Sequence, residues 1–522
     1  KTCSPRCGTA AGTSTVENLL TMNSADDFRS GQSLSREPSR QGMKFMVERN
    51  HINVLRREVL RRVAESFLHD ADFGKSVERI PFVMRPKNTK PSRCCIYKDR
   101  AILRFRVMAA LGFRLEDEED DSTPLSVYAE KALEREQPSA PILTVCDTAC
   151  QGCIPARYYV TDACQNCIAH PCIGSCHFGA IQHIKGRSYI DPEKCRNCGM
   201  CHDACPYQAI VRLSVPCEDA CPVKAIHKGE NGRAEIDITK CISCGRCMRA
   251  CPFGTVIERS EIVDVLSAMK AGKHLTAMMA PAIVGQFPGN LKRVVEALRE
   301  LGFSEVLEVA SGADVTTKRE AAEFVERMKL GERFMTTSCC PGYVEAVRLH
   351  LPEMAPFVSS TSTPMHYCAE IAKERFPGTT TVFIGPCVAK RREALYDPIG
   401  DYVLTFEEVG ALLEAKNIDV SSCAEHSLGD GASGDGRGYA ISGGVAAAVK
   451  KAVGNDVEVT PLYVNGLSLA GLRKLKSYAT KDCPGNLVEV MACEGGCVGG
   501  AGVIGDKIKV TKAVESFAKS GM

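Results

Sequence analysis

Residues 195–206 read CRNCGMCHDACP, and residues 241–252 read CISCGRCMRACP. Each is C-x2-C-x2-C-x3-C-P. At this spacing a short loop wraps three thiolates around one 4Fe–4S cubane while its amides reach the sulfurs, and the fourth thiolate crosses to a sister cluster. Zinc sites favour two separated C-x2-C pairs, and chance does not produce this run twice. Seventeen of the chain's 29 cysteines lie between Cys146 and Cys251. In a short secreted domain such density would indicate disulfides. Here no apolar signal core opens the chain and the thiols recur at metal-ligand spacing. A reducing, anaerobic, cytoplasmic setting is expected.

Two partial runs extend the pattern. Cys164, Cys167, Cys172 and Cys176 form C-x2-C-x4-C-x3-C with His177 where proline is usual, and Cys217-x3-Cys221-Pro222 is the back half of another run. The bacterial ferredoxin crossover groups Cys164, Cys167 and Cys172 with Cys205, and Cys195, Cys198 and Cys201 with Cys176. Cys221 can complete the set of Cys241, Cys244 and Cys247. Cys217 and Cys251 then need two more thiolates, which the group Cys146-x3-Cys150-x2-Cys153 can supply. Two accessory clusters follow from the complete runs and a third from the partial ones. For the fourth, a structural or zinc role of Cys146, Cys150 and Cys153 stands as the alternative.

The rest of the chain frames this window. Its 522 residues suggest about three to four domains. Lys+Arg 65 against Asp+Glu 63 gives a net charge of +2, which offers no footprint for nucleic acid or an anionic membrane. The uncharged run 274–291 is broken by Pro281, Gly285, Pro288 and Gly289, so it is not a membrane span. Residues 1–42 read as a disordered tail rich in Ser, Thr, Gly and Arg. Their composition faintly resembles a transit peptide, against which stand Glu17, Asp26, Asp27 and Glu37. Cys3 and Cys7 read as incidental thiols. Residues 43–140 read as a helical region, with helical apolar spacing from Ile52 to Phe67 and further helices over 99–111 and 125–136. Cys94 and Cys95 read as buried thiols. A ferredoxin-like region spans 141–258. From 259 to 522 strands and helices alternate, and the whole is expected to be a soluble α+β multidomain protein.

In that last region three apolar strands each run into a cysteine-bearing loop followed by a helix. They are 333–337 before SCCPGY, 379–384 before GPCVAK, and 487–491 before ACEGGC. Open α/β sheets bind ligands at such strand ends. HSLGDGASGDGRG (426–438) reads as a flexible loop inserted between lobes, with no Walker lysine.

The loops TSCCPGY (337–343), GPCVAKRRE (385–393) and EVMACEGGCVGGAG (489–502) resemble, in order and spacing, the three H-cluster signatures of FeFe-hydrogenases. The resemblance covers 141–522. PSRCCIYKDRAILRFRV (91–107) and the Cys146 group look like the branch often called group B. The resemblance implies a two-lobed α/β domain in which Cys340, Cys387, Cys493 and Cys497 hold a catalytic 4Fe–4S cubane. Cys497 would also bridge to a diiron subcluster bearing CO, CN and a dithiolate amine. It further implies Cys339 as first proton relay, Lys390 as donor to a cyanide, Met491 beside the diiron unit, and Ala280-Pro281-Ala282 packed against it. The implied reaction is reversible, 2 H⁺ + 2 e⁻ to H2, in a ferredoxin-dependent hydrogenase. Ferredoxin or a similar carrier would supply electrons through the 4Fe–4S clusters, and maturation proteins would build the diiron site. Soft thiolates suit iron, a lysine ammonium suits an anionic ligand, and the glycines at 495, 496, 499 and 500 allow close backbone approach.

Two departures matter. Gly385 stands where the better-known branch has methionine, so the pocket is expected to be roomier or differently covered. APAIVGQFPGN (280–290) lacks the acidic residues of the well-known proton route, with Gln286 in their neighbourhood. An amide relays protons poorly. Cys339 is then left without its next carrier, with Glu393 and Glu296 as candidates, and slow, proton-limited turnover is expected. The competing readings are a non-catalytic relative, acting as hydrogen sensor or iron–sulfur assembly factor, and a plain polyferredoxin. A sensor usually adds a signalling module, whereas few residues follow Cys497. An assembly factor needs neither Cys339 nor Lys390, and a polyferredoxin leaves the three downstream loops unexplained.

Overall fold

Helices α1 (His51–His69), α2 (Phe73–Met84), α3 (Ile96–Ala110) and α4 (Leu125–Glu134) occupy the N-terminal stretch. The computed structural model describes residues 50–520 except 119, 155–156 and 429–430, so the tail reading of 1–42, with Cys3 and Cys7, lies outside the described residues. The apolar stripe of α1 buries Val59, Leu60, Val63 and Phe67. Cys94 is exposed and Cys95 half-buried, contrary to expectation. Cys95 is the extended residue that precedes α3, which leaves both thiols outside the helix's buried face.

Eight short strands follow: β1 (Leu143–Val145), β2 (Arg157–Val160), β3 (Ile181–Ile184), β4 (Arg187–Ile190), β5 (Ile210–Leu213), β6 (Ile226–Lys228), β7 (Ala234–Ile236) and β8 (Val256–Glu258). They form antiparallel pairs β1–β8, β2–β5, β3–β4 and β6–β7. The pairing is nested. One module, closed by β2–β5 around the β3–β4 hairpin, sits in the chain inside another, closed by β1–β8 around the β6–β7 hairpin. Four one-turn helices accompany them: α5 (Pro171–Gly174), α6 (Met200–Ala204), α7 (Pro216–Ala220) and α8 (Arg246–Ala250).

The remaining chain is α/β. It begins α9 (Ile262–Lys270), β9 (Leu275–Met279), α10 (Leu291–Leu301), β10 (Glu305–Glu308), α11 (Val309–Lys329), β11 (Met335–Thr336), α12 (Pro341–His350) and α13 (Pro364–Arg375). It continues with β12 (Thr380–Gly385), α14 (Ala389–Tyr396), β13 (Tyr402–Thr405), α15 (Phe406–Ala415), α16 (Gly434–Gly438) and α17 (Gly444–Val453). It closes with β14 (Pro461–Asn465), α18 (Leu469–Thr480), β15 (Leu487–Met491) and α19 (Lys507–Ser520). Two parallel sheets result, ordered β10–β9–β12–β13 and β11–β15–β14. Both are covered by helices, and β9 and β15 are buried along their whole length, as parallel strands require. The fold is α+β and multidomain. Among the described residues no helix is long and apolar enough to cross a membrane.

The N-terminal helices share one apolar core with the four-stranded sheet, and a buried Arg56–Glu407 ion pair joins α1 to α15. α15 opens on a capping box. Glu408 N–H donates to Thr405 Oγ1 at 3.3 Å, and Thr405 N–H donates to Glu408 Oε2 at 2.7 Å. Glu408 also meets Arg391, whose side chain is wholly buried. Thr405→Ala removes the cap acceptor and should cost about 1 kcal/mol, seen as a lower thermal midpoint in calorimetry. An unchanged midpoint would mean the box contributes nothing.

The second half of the stretch read as a flexible loop is ordered. Residues 434–438 form α16, Ser433 N–H donates to Asp314 at 2.8 Å, and Arg437 holds Glu308 through two contacts of 2.9 Å.

Candidate metal centre and proton path

Four strands end at one place. The turn after β9 carries Ala280, Pro281 and Ala282, the loop after β11 carries Cys339 and Cys340, the loop after β12 carries Cys387, and the loop after β15 carries Cys493 and Cys497. All of them, with Lys390 and Met491, line one cavity of about 90 Å³. It lies outside the carboxyl ends of parallel strands, where α/β folds place ligands.

The thiols there are buried and crowd one another. Burial, then the charge of Cys340, pushes the Cys387 thiol up to about 11. Burial, then Cys387 and Cys340, pushes Cys497 up to about 12. Cys493 is raised well above the ordinary thiol value by burial and then by Cys387, Cys340 and Cys497. A cationic metal core relieves such repulsion by taking the sulfurs as thiolates. The Ala492 N–H already donates to Cys340 Sγ at 3.4 Å. The four thiols fit a polynuclear iron centre, to which soft sulfur ligands are suited.

Lys390 brings an ammonium to this wall. It is 7% exposed, and its Nζ donates to Thr363 Oγ1 at 2.8 Å and Glu393 Oε2 at 2.7 Å. Glu393 is thereby occupied with Lys390 and Thr363. Glu296, the other carboxylate considered as a carrier, faces His426 at 3.5 Å and is not part of the cavity wall. Gln286 is a staple: its Oε1 accepts from Ile504 N–H and Gly505 N–H, both at 2.9 Å. The space beside Gly385 is filled. A Cβ placed there would stand 2.3 Å from the Phe383 ring, so Phe383 covers the pocket where a larger residue 385 would.

A carboxylate not singled out from the sequence, Glu320, bonds the loop that carries Cys339. Glu320, Glu323 and Arg327 lie on one face of α11, at i, i+3 and i+7. Glu320 is 0% exposed. Its Oε1 accepts from Ser338 N–H at 2.9 Å and Ser338 Oγ at 3.2 Å, while its Oε2 is buried without a hydrogen-bond partner. Burial pushes its carboxyl up to about 7, against the bonds from Ser338. Burial, then Glu320, raises the Cys339 thiol well above its usual value. Ser359 Oγ donates to Glu323 Oε2 at 2.6 Å, and Arg327 holds Glu323 Oε1 at 2.7 Å. Burial would raise Glu323, but Ser359, the Ser360 N–H and Arg327 hold it below the ordinary value. Arg327 also faces the exposed Glu332 at 3.4 Å. Cys339 thus stands at the cavity wall, Glu320 is bonded to the adjacent Ser338, and Ser359, Glu323 and Arg327 form a bonded set that reaches the exposed Glu332. Glu320 and Glu323 are carboxylates that the sequence reading did not consider as carriers. The tyrosine of α16's exit, Tyr439, also lines the cavity and shares a 2.8 Å hydrogen bond with Thr317 Oγ1.

The cysteine runs assemble beside this cavity. Cys176, Cys195, Cys198 and Cys201 line one small cavity, and Cys221, Cys241, Cys244 and Cys247 another. Both groupings match the crossover expected from spacing. Cys164, Cys172 and Cys205 pack in one apolar cluster with Cys201, and Cys167 ends the C-x2-C turn that starts at Cys164. Burial, then Cys251, pushes Cys217 up to about 11. Cys150 is buried, and Cys153 is half-buried against the apolar cluster that contains Cys217. The Cys146 thiol is within 3.2 Å of Thr148 Oγ1. Cys244 also lines the large cavity, so the two cysteine systems touch there.

Residues 188–211 match a 4Fe-4S binding domain, residues 212–262 the LdpA Fe-S cluster-binding domain, and residues 273–501 the C-terminal domain of the iron only hydrogenase large subunit. Iron hydrogenase 1 of Clostridium pasteurianum is 28% identical over 304 residues, 47% of this chain and 53% of that protein. The chain thus spans about half the length of that relative. The periplasmic Fe hydrogenase large subunit of Nitratidesulfovibrio vulgaris is 29% identical over 379 residues, 60% of this chain and 85% of that protein. The cytosolic Fe-S cluster assembly factor narfl of Xenopus tropicalis is 24% identical over 271 residues, 41% of this chain and 57% of that protein.

Proposed function

We propose that this chain, which resembles iron-only hydrogenases over residues 273–501 and carries iron–sulfur motifs, is a hydrogenase catalysing 2 H⁺ + 2 e⁻ ⇌ H2. The observation that carries this reading is the buried Glu320 beside Cys339, at the wall of a cavity ringed by Cys340, Cys387, Cys493 and Cys497. A catalytic H-cluster, when bound, supplies redox-active iron at which protons and electrons combine. Cys340, Cys387, Cys493 and Cys497 are the residues to hold it, and Lys390 offers an ammonium hydrogen to an anionic ligand. Met491, Phe383 and Ala280-Pro281 keep the wall apolar and exclude bulk water. Cys339 holds a proton at Sγ. Glu320, near 7, can replace that proton and be recharged through Ser359 and Glu323. Electrons would arrive from ferredoxin or a similar carrier, through thiolate-held clusters ending at Cys244.

The similarity to assembly factors keeps a non-catalytic reading in view. An assembly scaffold has no use for a cavity thiol set beside a buried carboxyl raised to about 7. The test is anaerobic gas chromatography of H2 from reduced viologen, using the full chain after its diiron unit is installed. Sustained H2 is expected. A fully loaded protein that makes none would favour the assembly or sensor reading.

A further inference from the structure

The two nested modules can be compared position by position. In the inner module a strand begins five residues after each crossover cysteine, Cys176 before Ile181 and Cys205 before Ile210. In the outer module the same holds for Cys221 before Ile226 and Cys251 before Val256. The residue three places after each is left-handed: Gly179, Gln208, Lys224 and Gly254, with φ of 58°, 49°, 55° and 59°. The N–H four places after each donates back to its sulfur: Ala180 and Ala209 at 3.4 Å, Ala225 at 3.2 Å and Thr255 at 3.5 Å. Cys251 is therefore built like Cys176, Cys205 and Cys221, and such amide-to-sulfur bonds are how ferredoxin loops receive a cluster.

The C-x2-C turns repeat as closely. Their second intervening residue is left-handed in Asn166, Asn197 and Ser243, with φ of 49°, 53° and 53°. Between Cys150 and Cys153 the same place is taken by Gly152, with φ of 60°. The third cysteine of each run sits second in a one-turn helix: Cys172 in α5, Cys201 in α6, Cys247 in α8 and Cys217 in α7. Cys146 has no such counterpart. Its N–H donates to Thr255 O at 2.8 Å, just as Thr161 N–H donates to Ala209 O at 2.8 Å in the inner module. It thus occupies the place of a threonine, not of a ligand.

We propose that Cys150, Cys153, Cys217 and Cys251 hold a fourth accessory 4Fe–4S cluster, and that Cys146 is not among its ligands. The outer module is then a complete two-cluster ferredoxin whose first run is split, with the inner module inserted between Cys153 and Cys217. Four thiolates around a cubane are anionic, and α3 turns a matching cation inward. Arg106 is 5% exposed and reaches the carbonyls of Phe253 at 3.2 Å and Gly254 at 2.9 Å, two and three residues after Cys251. This accounts for the helical region being packed on the outer module. It rests on the iron–sulfur reading of the chain and not on hydrogen chemistry.

The test uses the full chain, anaerobically reconstituted without the diiron unit, and reads iron, acid-labile sulfide and reduced-state spin count. At four iron per cubane, four accessory clusters and the catalytic one give roughly 20 iron per chain. A wild-type chain with only three accessory cubanes overturns the proposal. Cys150→Ser/Cys153→Ser should lose about four iron and one reduced-cluster signal, whereas Cys146→Ser should lose neither. Iron retained in the double variant, or about four lost from Cys146→Ser, overturns it. If the double variant does not accumulate, the wild-type count together with Cys146→Ser decides the matter. A protein that passes these tests yet evolves no H2 would refute the proposed function and leave this site standing.

Discussion

Glu320→Gln should cut H2 turnover roughly 10²–10⁴-fold, the usual cost of removing a positioned acid or base, while iron content stays at the wild-type level. The amide keeps the size of the carboxyl and can still accept from Ser338 N–H, which bonds Oε1 at 2.9 Å. It cannot take up and release a proton near neutrality, as a carboxyl raised to about 7 can. Glu320→Asp should recover part of the rate, since it restores the titrating group at a shorter reach. A rate near wild type in Glu320→Gln would remove Glu320 from the path and reopen the route to the cavity.

The neighbouring cysteines should separate cleanly. Cys340→Ala removes a candidate iron ligand, and the catalytic cubane and all activity should be lost together. Cys339→Ala should leave iron content and the oxidised spectrum intact while turnover collapses by a factor comparable to Glu320→Gln, because a methyl cannot pass on a proton. Combining Cys339→Ala with Glu320→Gln should then add little further loss, since residues acting in one path are not additive. Equal iron loss from Cys339→Ala and Cys340→Ala would show both thiols to be structural.

The cysteines were legible because a cubane's dimensions dictate thiolate spacing within a single loop, and Cys340, Cys387, Cys493 and Cys497 do meet at one cavity. β15 matches the expected strand, 487–491, residue for residue, whereas 333–337 reduces to the two residues of β11. The proton path was not legible. Glu320 and Ser338 meet only because α11 packs beside the segment after β11, and Glu-x2-Glu-x3-Arg on a helix reads as an ordinary polar face. Gln286 drew attention by its position in a motif, yet its contacts are with the backbone at Ile504 and Gly505. Phe383 went unnoticed because its ring fills the gap of a residue two places further along the same strand. The tie between Cys153 and Cys217 is hidden by an entire module of sequence.

That inserted module enters the outer one at Arg157 and leaves it at Leu213, and these two residues are direct antiparallel partners. Partners of this kind stand about 5 Å apart, so the insertion hangs from a single seam. The inner module is thus a unit that can be lengthened, exchanged or removed at that seam without cutting the chain that carries the thiols facing the large cavity.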